Sequence, residues 1–159
     1  MIPKKHLIEL WRGTLPERFK DMLPRTYTDK TANGLTRMII DWINYNGGQA
    51  ERINTTGRLI KAKTYKDVMG ITKTIGQDKW IKGTGTLGSA DISATIPVFI
   101  SGKKIGLSVK IEVKIGKDYQ KSEQIKYEED VKKAGGYYYI VKNFDDFYKK
   151  YFDLINSFN

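Results

Sequence analysis

The stretch "DISATIPVFISGKKIGLSVKIEVKI", residues 91–115, decides the fold of this chain. It contains two runs in which apolar and polar residues alternate, which is the pattern of a β-strand with one face in a hydrophobic core. The "SGKK" segment between the runs predicts a tight turn, so the two strands pair as antiparallel neighbours with one face exposed to water. The predicted inward residues are Ile92, Ala94, Ile96, Val98 and Ile100 in the first run, and Leu107, Val109, Ile111, Val113 and Ile115 in the second.

The segments around this strand pair predict a mixed α/β fold. Apolar residues recur at helical spacing in residues 31–48, 116–136 and 143–158, and glycine pairs close the first two of these segments. Short apolar runs at residues 50–54 and 137–141 predict two further strands. The order helix, strand, long loop, strand, strand, helix, strand, helix predicts a mixed β-sheet flanked by α-helices.

Length and charge indicate the organisation and the partner. The 159 residues predict one domain, residues 1–159, in which a core of about 31–159 follows an N-terminal extension, 1–30. Lysine and arginine (28) outnumber aspartate and glutamate (18), and the formal charge of +10 favours a polyanionic partner. Nucleic acid is the first candidate and an anionic membrane surface is the alternative. The sequence has neither the roughly 20 apolar residues of a membrane span nor a secretory signal, so we expect a cytoplasmic protein without membrane contact.

Cysteine is absent from the sequence, and His6 is its single histidine. These counts exclude thiolate zinc sites, cysteine nucleophiles and paired-histidine metal sites. His6 lies in a terminal segment that we expect to be mobile, and we interpret it as structural or incidental. Any catalysis must therefore use carboxylates, lysines, backbone groups and, where one is bound, a hard metal ion held through oxygen.

A basic, glycine-rich segment precedes the strand pair. Residues 57–90 carry seven basic and two acidic residues together with six glycines, and their weak periodicity predicts a long functional loop. We predict that its basic side chains grip the DNA backbone without reading sequence. These side chains are Arg58, Lys61, Lys63, Lys66 and Lys82.

The same segment ends in a G-x-G-x-x-G match at Gly83, Gly85 and Gly88. A dinucleotide-binding fingerprint needs a strand before the glycines and a helix after them, because the pyrophosphate sits on the N-terminus of that helix. Here a strand follows, and the Lys-Ser/Thr tail of a P-loop is absent. We interpret the match as coincidental and the segment as a means of presenting Asp91.

Strand parity brings Asp91 to a charged patch. Asp91 lies on the polar face of the first strand, and the antiparallel return places Glu112 and Lys114 on the same face of its neighbour. Two carboxylates about 5 Å apart repel by roughly 3 kcal/mol at an effective dielectric near 20, unless a cation binds between them. Mg²⁺ suits such a site, since it takes one or two carboxylates plus waters, a backbone carbonyl and phosphate oxygens. Lys114 would then orient or help deprotonate the attacking water.

The combination "GSAD…IEVK…SEQ…GGYYYIV" resembles the PD-(D/E)xK nuclease superfamily, and specifically its VRR-NUC branch, over residues 31–148. Asp91 matches the motif aspartate, with Ala90 where proline is usual, and Glu112 and Lys114 match the E-x-K pair. The resemblance implies a restriction-endonuclease-like mixed sheet and a DNA endonuclease activity that depends on Mg²⁺ or Mn²⁺.

The resemblance also assigns roles to residues outside that pair. Val113 would supply a metal-binding backbone carbonyl, and Gln124 matches the glutamine on the helix after the E-x-K strand. The stretch "ERINTTG" resembles the family's Arg-x-Asn-x-Gly region, which places Arg52 and Asn54 near the site as DNA-binding residues. Stand-alone members of the family imply an intracellular, often phage-borne protein that acts on branched DNA such as junctions or flaps. A homodimer fits the two cuts that a symmetric junction requires.

One departure from the family pattern keeps a second hypothesis open. Family members carry a glutamate near the start of the first helix, where this sequence has Ala32 and Asn33. The second hypothesis is a catalytically weak or inactive DNA-binding module of the same fold. A third, RNA or anionic-membrane binding without catalysis, rests on charge alone.

Overall fold

The computed structural model describes residues 3–23, 25–54, 57–83 and 85–158. The helices are α1 (Pro3–Thr14), α2 (Ala32–Tyr45), α3 (Ser122–Lys133) and α4 (Phe144–Asn156), with a short 3₁₀ helix at Glu17–Phe19. The strands are β1 (Gln49–Arg52), β2 (Arg58–Ile60), β3 (Lys63–Lys66), β4 (Thr72–Ile75), β5 (Lys79–Ile81), β6 (Ile92–Ile100), β7 (Lys103–Val113) and β8 (Tyr137–Val141). The chain forms two compact units, one made of the residues up to Ile53 and from Gly88 onward, the other of Asn54–Leu87.

The larger unit is built on a four-stranded mixed sheet in the order β1-β6-β7-β8. β6 and β7 form the predicted antiparallel hairpin, in which Ile100 pairs with Lys103 across a two-residue turn. Both turn residues have positive φ, 49° at Ser101 and 76° at Gly102, as a type I′ turn requires. β1 lies antiparallel to β6 at one edge, and β8 lies parallel to β7 at the other. The predicted mixed sheet flanked by helices is therefore confirmed.

The apolar face of this sheet forms the core together with α2 and α4. The fully buried apolar positions of β6 and β7 have the parity that the alternation predicts, and they are Ile92, Ala94, Ile96, Val98, Val109, Ile111 and Val113. The predicted inward residues that are only partly buried are Ile100, Leu107 and Ile115. Leu35, Ile39 and Trp42 of α2 and Phe144 of α4 cover this face. Trp42 and Phe144 meet edge to face, with ring centroids 5.8 Å apart.

The opposite face of the sheet is covered in part by α3. Tyr127 of α3 meets Tyr138 of β8 edge to face, with ring centroids 6.3 Å apart. Tyr138 pairs with Lys110 of β7, so it shares the face that also carries Glu112. Glu112 is only 2% exposed and Lys114 only 6%. The prediction of a face open to water is therefore wrong at this end of the hairpin.

The N-terminal residues contribute to the core of the larger unit. α1 packs on α2 and α4, and its Leu7 is completely buried. His6 lies against Trp42, with ring centroids 5.4 Å apart. Further along, the Tyr27 hydroxyl donates a 2.7 Å hydrogen bond to the buried carboxylate of Asp41 in α2. The terminal segment that the sequence analysis expects to be mobile is thus a helix packed on the core, and His6 has a packing contact. Among the described residues, no helix combines the length and the apolar character needed to cross a membrane.

The smaller unit, Asn54–Leu87, is a β-ribbon and not the long loop that the sequence predicts. β2 pairs with β5 and β3 pairs with β4, both antiparallel, so four short strands double back on one another. Every residue of these strands is exposed. The segment therefore lacks the alternation of buried and exposed positions from which strands are predicted. We call Asn54–Leu87 the basic ribbon.

Candidate active site

Asp91 is fixed at the start of β6 by two hydrogen bonds from neighbouring strands. The backbone N–H of Ile53, just after β1, donates to the Asp91 carbonyl oxygen at 2.8 Å. The backbone N–H of Val113, the last residue of β7, donates to Oδ2 of the Asp91 carboxylate at 2.9 Å. The register of the hairpin sets Asp91 opposite Glu112. The structure therefore brings the two predicted carboxylates to one end of the sheet.

Glu112 is buried with one of its two oxygens satisfied. Oε1 accepts hydrogen bonds from Nε2 of Gln124 and from Nζ of Lys114, the latter at 3.0 Å. Oε2 is buried and has no hydrogen-bond partner among the described residues. Burial raises the pKa of Glu112, and the nearby charge of Asp91 raises it further, against the opposing effect of Lys114.

Lys114 lies directly after β7 and is held by three acceptors. Its backbone N–H donates to the carbonyl of Val141 at 2.9 Å, which extends the parallel pairing with β8. Its Nζ lies 3.0 Å from Oε1 of Glu112, 3.0 Å from Oε1 of Gln124 and 3.4 Å from Oδ2 of Asp118. Burial alone would lower the pKa of Lys114, but the hydrogen bond and charge of Glu112, with Asp118, raise it overall. The ammonium is thus positioned as a hydrogen-bond donor.

Gln124 joins the two charged side chains to the start of α3. Its Oε1 accepts from the backbone N–H of Lys121 at 3.0 Å as well as from Lys114, and its Nε2 donates to Glu112. Gln124 is the third residue of α3, where a glutamine side chain can reach back to satisfy a free N–H at the helix start. The same amide therefore caps the helix and orients the site.

Gly88, the last glycine of the G-x-G-x-x-G match, packs against the start of α3. Its φ is +79°, a conformation that favours glycine, and a Cβ there would lie 2.3 Å from the carbonyl oxygen of Glu123. The backbone of the segment that precedes Asp91 can therefore approach α3 closely only because residue 88 has no side chain. A strand follows this glycine segment, as the sequence indicates, and the glycine serves packing here.

The donor set is suited to a divalent metal. Oε2 of Glu112 is a buried carboxylate oxygen without a donor among the described residues, and a cation would satisfy it. Asp91, half-buried beside it, supplies a second carboxylate. Among the described residues, no group of three or more histidine, cysteine or carboxylate side chains converges on one point. Mg²⁺ or Mn²⁺ at Asp91 and Glu112 would need its remaining ligands from the Val113 carbonyl, water and substrate.

An arginine-lined cleft of about 360 Å³ opens beside the end of β1. Nη1 of Arg52 donates to Oδ1 of Asn33 at 2.9 Å, which ties the end of β1 to the first turn of α2. Arg52 also pairs in the sheet with Ile92, the residue after Asp91. The cleft is lined by Asn33, Thr36, Arg37, Ile40 and Arg52. The sequence singled out Arg52, and Arg37 is an additional cation beside it.

Two other residues near the carboxylates were not predicted from the sequence. Asp118 approaches Lys114 four residues further along, in an exposed turn. Tyr138 is buried, and its hydroxyl has no hydrogen-bond partner among the described residues. Burial, followed by the charge of Glu112, raises the pKa of Tyr138. The folded structure brings both residues close to the carboxylates. The spacing of the motif residues in the sequence does not predict that either one lies there.

The other predicted DNA-binding residues lie in the basic ribbon. Asn54 is its first residue, and the basic side chains Arg58, Lys61, Lys63, Lys66 and Lys82 are all exposed. The carboxylates, Lys114 and Gln124 belong to the larger unit. Comparison with protein-family models, curated proteins and solved structures found no match for this chain.

Proposed function

We propose that this chain is a divalent-metal-dependent DNA nuclease that hydrolyses phosphodiester bonds, with junctions or flaps among its substrates. The observation that carries the proposal is the buried Glu112, opposite Asp91 and beside Lys114, whose Oε2 has no partner in the part of the chain that the structure describes. Buried polar atoms in proteins are ordinarily hydrogen-bonded, so a buried carboxylate oxygen without a partner among the described residues needs an explanation, and a bound cation would supply one. The order and parity of these residues also resemble the PD-(D/E)xK nucleases of the VRR-NUC type.

Each residue of the site has a proposed role. Asp91, Glu112 and the backbone carbonyl of Val113 would hold Mg²⁺ or Mn²⁺. The ion, when bound, supplies Lewis acidity to the scissile phosphate and favours deprotonation of water at neutral pH. Lys114, fixed as a donor by Gln124, would orient the attacking water and offset negative charge that develops on the phosphate.

The positive charge of the chain supports DNA as the substrate. The formal charge of +10 would attract the phosphate backbone, and Arg52 with Arg37 would contact phosphates beside the carboxylates. These contacts position DNA and carry no sequence information. We further propose that the protein acts in the cytoplasm of a bacterial or phage-infected cell, and that a homodimer makes paired cuts.

A panel of labelled DNAs tests the enzymatic proposal. Duplex, single-stranded, flap and four-way-junction DNAs are incubated with Mg²⁺, Mn²⁺ or EDTA, and we expect cleavage only with metal. Glu112→Gln should abolish it, whereas Glu129→Gln, the same change at an exposed residue of α3, should not. Full activity of Glu112→Gln would overturn the mechanism.

A second measurement does not depend on turnover. Mn²⁺ at 100 times its Kd should raise the free energy of unfolding by about 2.7 kcal/mol in the wild type. The gain should be absent in Glu112→Gln and retained in Glu129→Gln. An equal gain in all three proteins would place the metal away from Glu112.

The Arg52–Asn33 hydrogen bond favours one alternative function. Because an amide and an arginine replace the family's glutamate, this chain has one carboxylate fewer for metal than the resembled enzymes. A DNA-binding module without catalysis would bind the panel and cleave none of it in any metal. Such a result would support the hypothesis of a DNA-binding module and overturn the nuclease proposal.

A further inference from the structure

The tip of the basic ribbon is an ordered turn with apolar side chains. Asp67 N–H donates to the carbonyl of Ile71 at 3.0 Å, and Gly70 N–H donates to the carbonyl of Asp67 at 2.9 Å. Gly70 has φ +78°, so Val68, Met69 and Gly70 form a three-residue hairpin loop with glycine in the left-handed position. Val68 and Met69 therefore occupy the outermost positions of the ribbon.

The Asp67 side chain holds this turn in place. Its Oδ1 accepts from the backbone N–H groups of Met69 and Ile71 at 2.9 and 3.0 Å. Its Oδ2 pairs with Nζ of Lys73 at 3.0 Å. The turn is thus fixed by side-chain and backbone hydrogen bonds, which keeps its apolar residues in one place.

The apolar side chains of the tip lie in water. Val68 is fully exposed, Met69 is 81% exposed, and Ile71 is 56% exposed. Single exposed apolar residues are ordinary, but three within four positions on a fixed turn form a protruding patch. An ordered apolar tip of this kind gains free energy when a partner covers it.

The residues behind the tip favour a polyanion as that partner. Lys66 is the residue next to Asp67 at the end of β3, and Lys63 starts the same strand, about 10 Å further back at roughly 3.3 Å per residue. The two acidic residues of the ribbon are engaged internally, Asp67 with Lys73 and Asp78 with the backbone N–H of Ala62 at 2.8 Å. Asp78 stays exposed, but seven basic residues against these two carboxylates give the ribbon a net positive charge.

The ribbon also carries two exposed aromatic side chains. Tyr65 pairs with Lys73 across β3 and β4, and Trp80 pairs with Leu59 across β2 and β5; both aromatic rings are exposed. Trp80 is fixed against Gly57, where a Cβ would lie 2.7 Å from the indole nitrogen. Exposed aromatic rings beside lysines are the surface on which unpaired bases stack.

We propose that the ribbon tip is a DNA wedge: Val68 and Met69 insert between bases at a kinked, mismatched or branched step, while Lys63 and Lys66 bind the flanking phosphates. Apolar side chains on DNA-binding elements partly unstack base steps and bend the duplex, at a free-energy cost that is lowest where pairing is already broken. The wedge would therefore select distorted DNA without reading sequence. The inference rests on the proposed DNA substrate and specifies which structure of DNA is preferred.

Fluorescence measurements in EDTA test the wedge without cleavage. The probes are a 30-base-pair duplex with dyes at both ends, which reports bending, and matched or mismatched duplexes with 2-aminopurine, whose emission rises on unstacking. The wild type should bend the end-labelled duplex and raise the 2-aminopurine emission of the mismatched duplex. It should bind the mismatched duplex about tenfold more tightly than the matched duplex. Val68→Ser/Met69→Ser should lose bending and emission change, and its preference should fall below about threefold.

A lysine variant is the matched control. Lys63→Ala/Lys66→Ala should bind all DNAs more weakly, with a salt dependence reduced by about 0.9 per lost contact, and should keep its preference for mismatched DNA. Circular dichroism of both variants checks that the ribbon, whose turn is set by Asp67 and Gly70, remains folded.

The possible outcomes separate this inference from the nuclease proposal. Unchanged bending and unstacking by Val68→Ser/Met69→Ser would overturn the wedge, even if the protein cleaves DNA. Bending and unstacking that depend on the tip would support the wedge, even if no metal produces cleavage. A variant that instead loses self-association in sedimentation, or binding to anionic vesicles, and bends DNA normally would assign the tip to a second copy or to a membrane and overturn the wedge.

Discussion

Removing the positive charge of Lys114 should destabilise this protein more than removing the negative charge of Glu112. Both side chains are buried, and Nζ lies 3.0 Å from Oε1. In Lys114→Met, the Glu112 carboxylate keeps the amide of Gln124 but faces the carboxylate of Asp91 without a compensating cation. An uncompensated buried charge typically costs about 3–5 kcal/mol, and we expect a loss of that size.

The reverse substitution leaves a better-compensated site. In Glu112→Gln, Lys114 retains Asp118 at 3.4 Å and the Gln124 oxygen at 3.0 Å, and glutamine keeps the size of glutamate. We expect a loss of roughly 1–2 kcal/mol, typical of a buried hydrogen-bonded group that loses one charged partner. The double variant removes both charges, so its loss should fall short of the sum of the single losses by about 1–3 kcal/mol.

Urea unfolding in EDTA at pH 7, followed by tryptophan fluorescence, measures these losses. Trp42 is buried in the core and reports global unfolding. A total stability of about 5–15 kcal/mol leaves the larger loss measurable, and Lys114→Gln, which keeps a donor, is the milder variant if Lys114→Met does not fold. Equal losses for the two single variants, or strict additivity in the double variant, would refute the reasoning.

The pH dependence of the same variants has a defined sign. Burial and Asp91 already raise the pKa of Glu112, and loss of Lys114 removes an opposing effect. The native state then holds a proton that the unfolded state has lost, so stability falls as pH rises through that raised pKa. The difference in the free energy of unfolding between wild type and Lys114→Met should be largest at pH 7. It should disappear below the ordinary pKa of a glutamate. A gap that widens on acidification would contradict this.

Three further predictions concern the site and the basic ribbon. Asp91→Asn should lower the cleavage rate at least about a hundredfold, while Asp130→Asn, an exposed carboxylate on α3, should leave it unchanged; equal rates would exclude Asp91 from the reaction. In urea unfolding, Gly88→Ala should lose more stability than Gly135→Ala. Both glycines have positive φ, which costs an alanine about 1–2 kcal/mol, but only at Gly88 would the added Cβ also clash with the backbone of α3. Equal losses would show that α3 moves to make room for the methyl group. Alanine at three ribbon lysines should reduce the log-log salt slope for duplex binding by up to about 2.7, and an unchanged slope would mean that the ribbon does not touch DNA. The three lysines are Lys61, Lys63 and Lys66.

The central hairpin could be predicted from sequence because its determinants are local. Alternation with period two assigns each residue of β6 and β7 to a face, and the two-residue turn at Ser101 and Gly102 fixes the register. A shift of one residue would carry Glu112 to the core face. Parity alone therefore predicts that Asp91, Glu112 and Lys114 share one face of the hairpin.

The burial of the candidate site could not be predicted in the same way. Parity assigns Glu112 and Lys114 to the polar face, which is correct, but their exposure depends on α3, a helix with no fully buried residue of its own. Tyr127 contacts Tyr138, and this contact brings α3 onto the polar face. The sequence spacing of the two tyrosines does not indicate that they cover charged residues. Burial of a strand face by a helix depends on tertiary packing, so the alternation within the strand does not predict it.

The sequence predicts a loop for the basic ribbon, and not strands, for a different reason. Its strands are exposed on both faces, so no apolar period distinguishes them, and its glycines read as chain breaks. The local signal that was present is the run Asp67 to Gly70, in which an aspartate and a glycine flank two residues as a tight hairpin turn requires. For this hairpin, turn chemistry is the sequence signal and periodicity is not.

Gln124 explains why the fold and the candidate site depend on one another here. As the third residue of α3, it accepts from the Lys121 backbone N–H, which is the interaction that starts the helix. The same oxygen accepts from Lys114, and the amide nitrogen donates to Glu112. A glutamine at this helix position satisfies a capping requirement as readily as a catalytic one, so the sequence could support either reading. Because the helix that it caps also buries the two charges that it orients, a change at Gln124 should affect the start of α3 and the geometry of the site together.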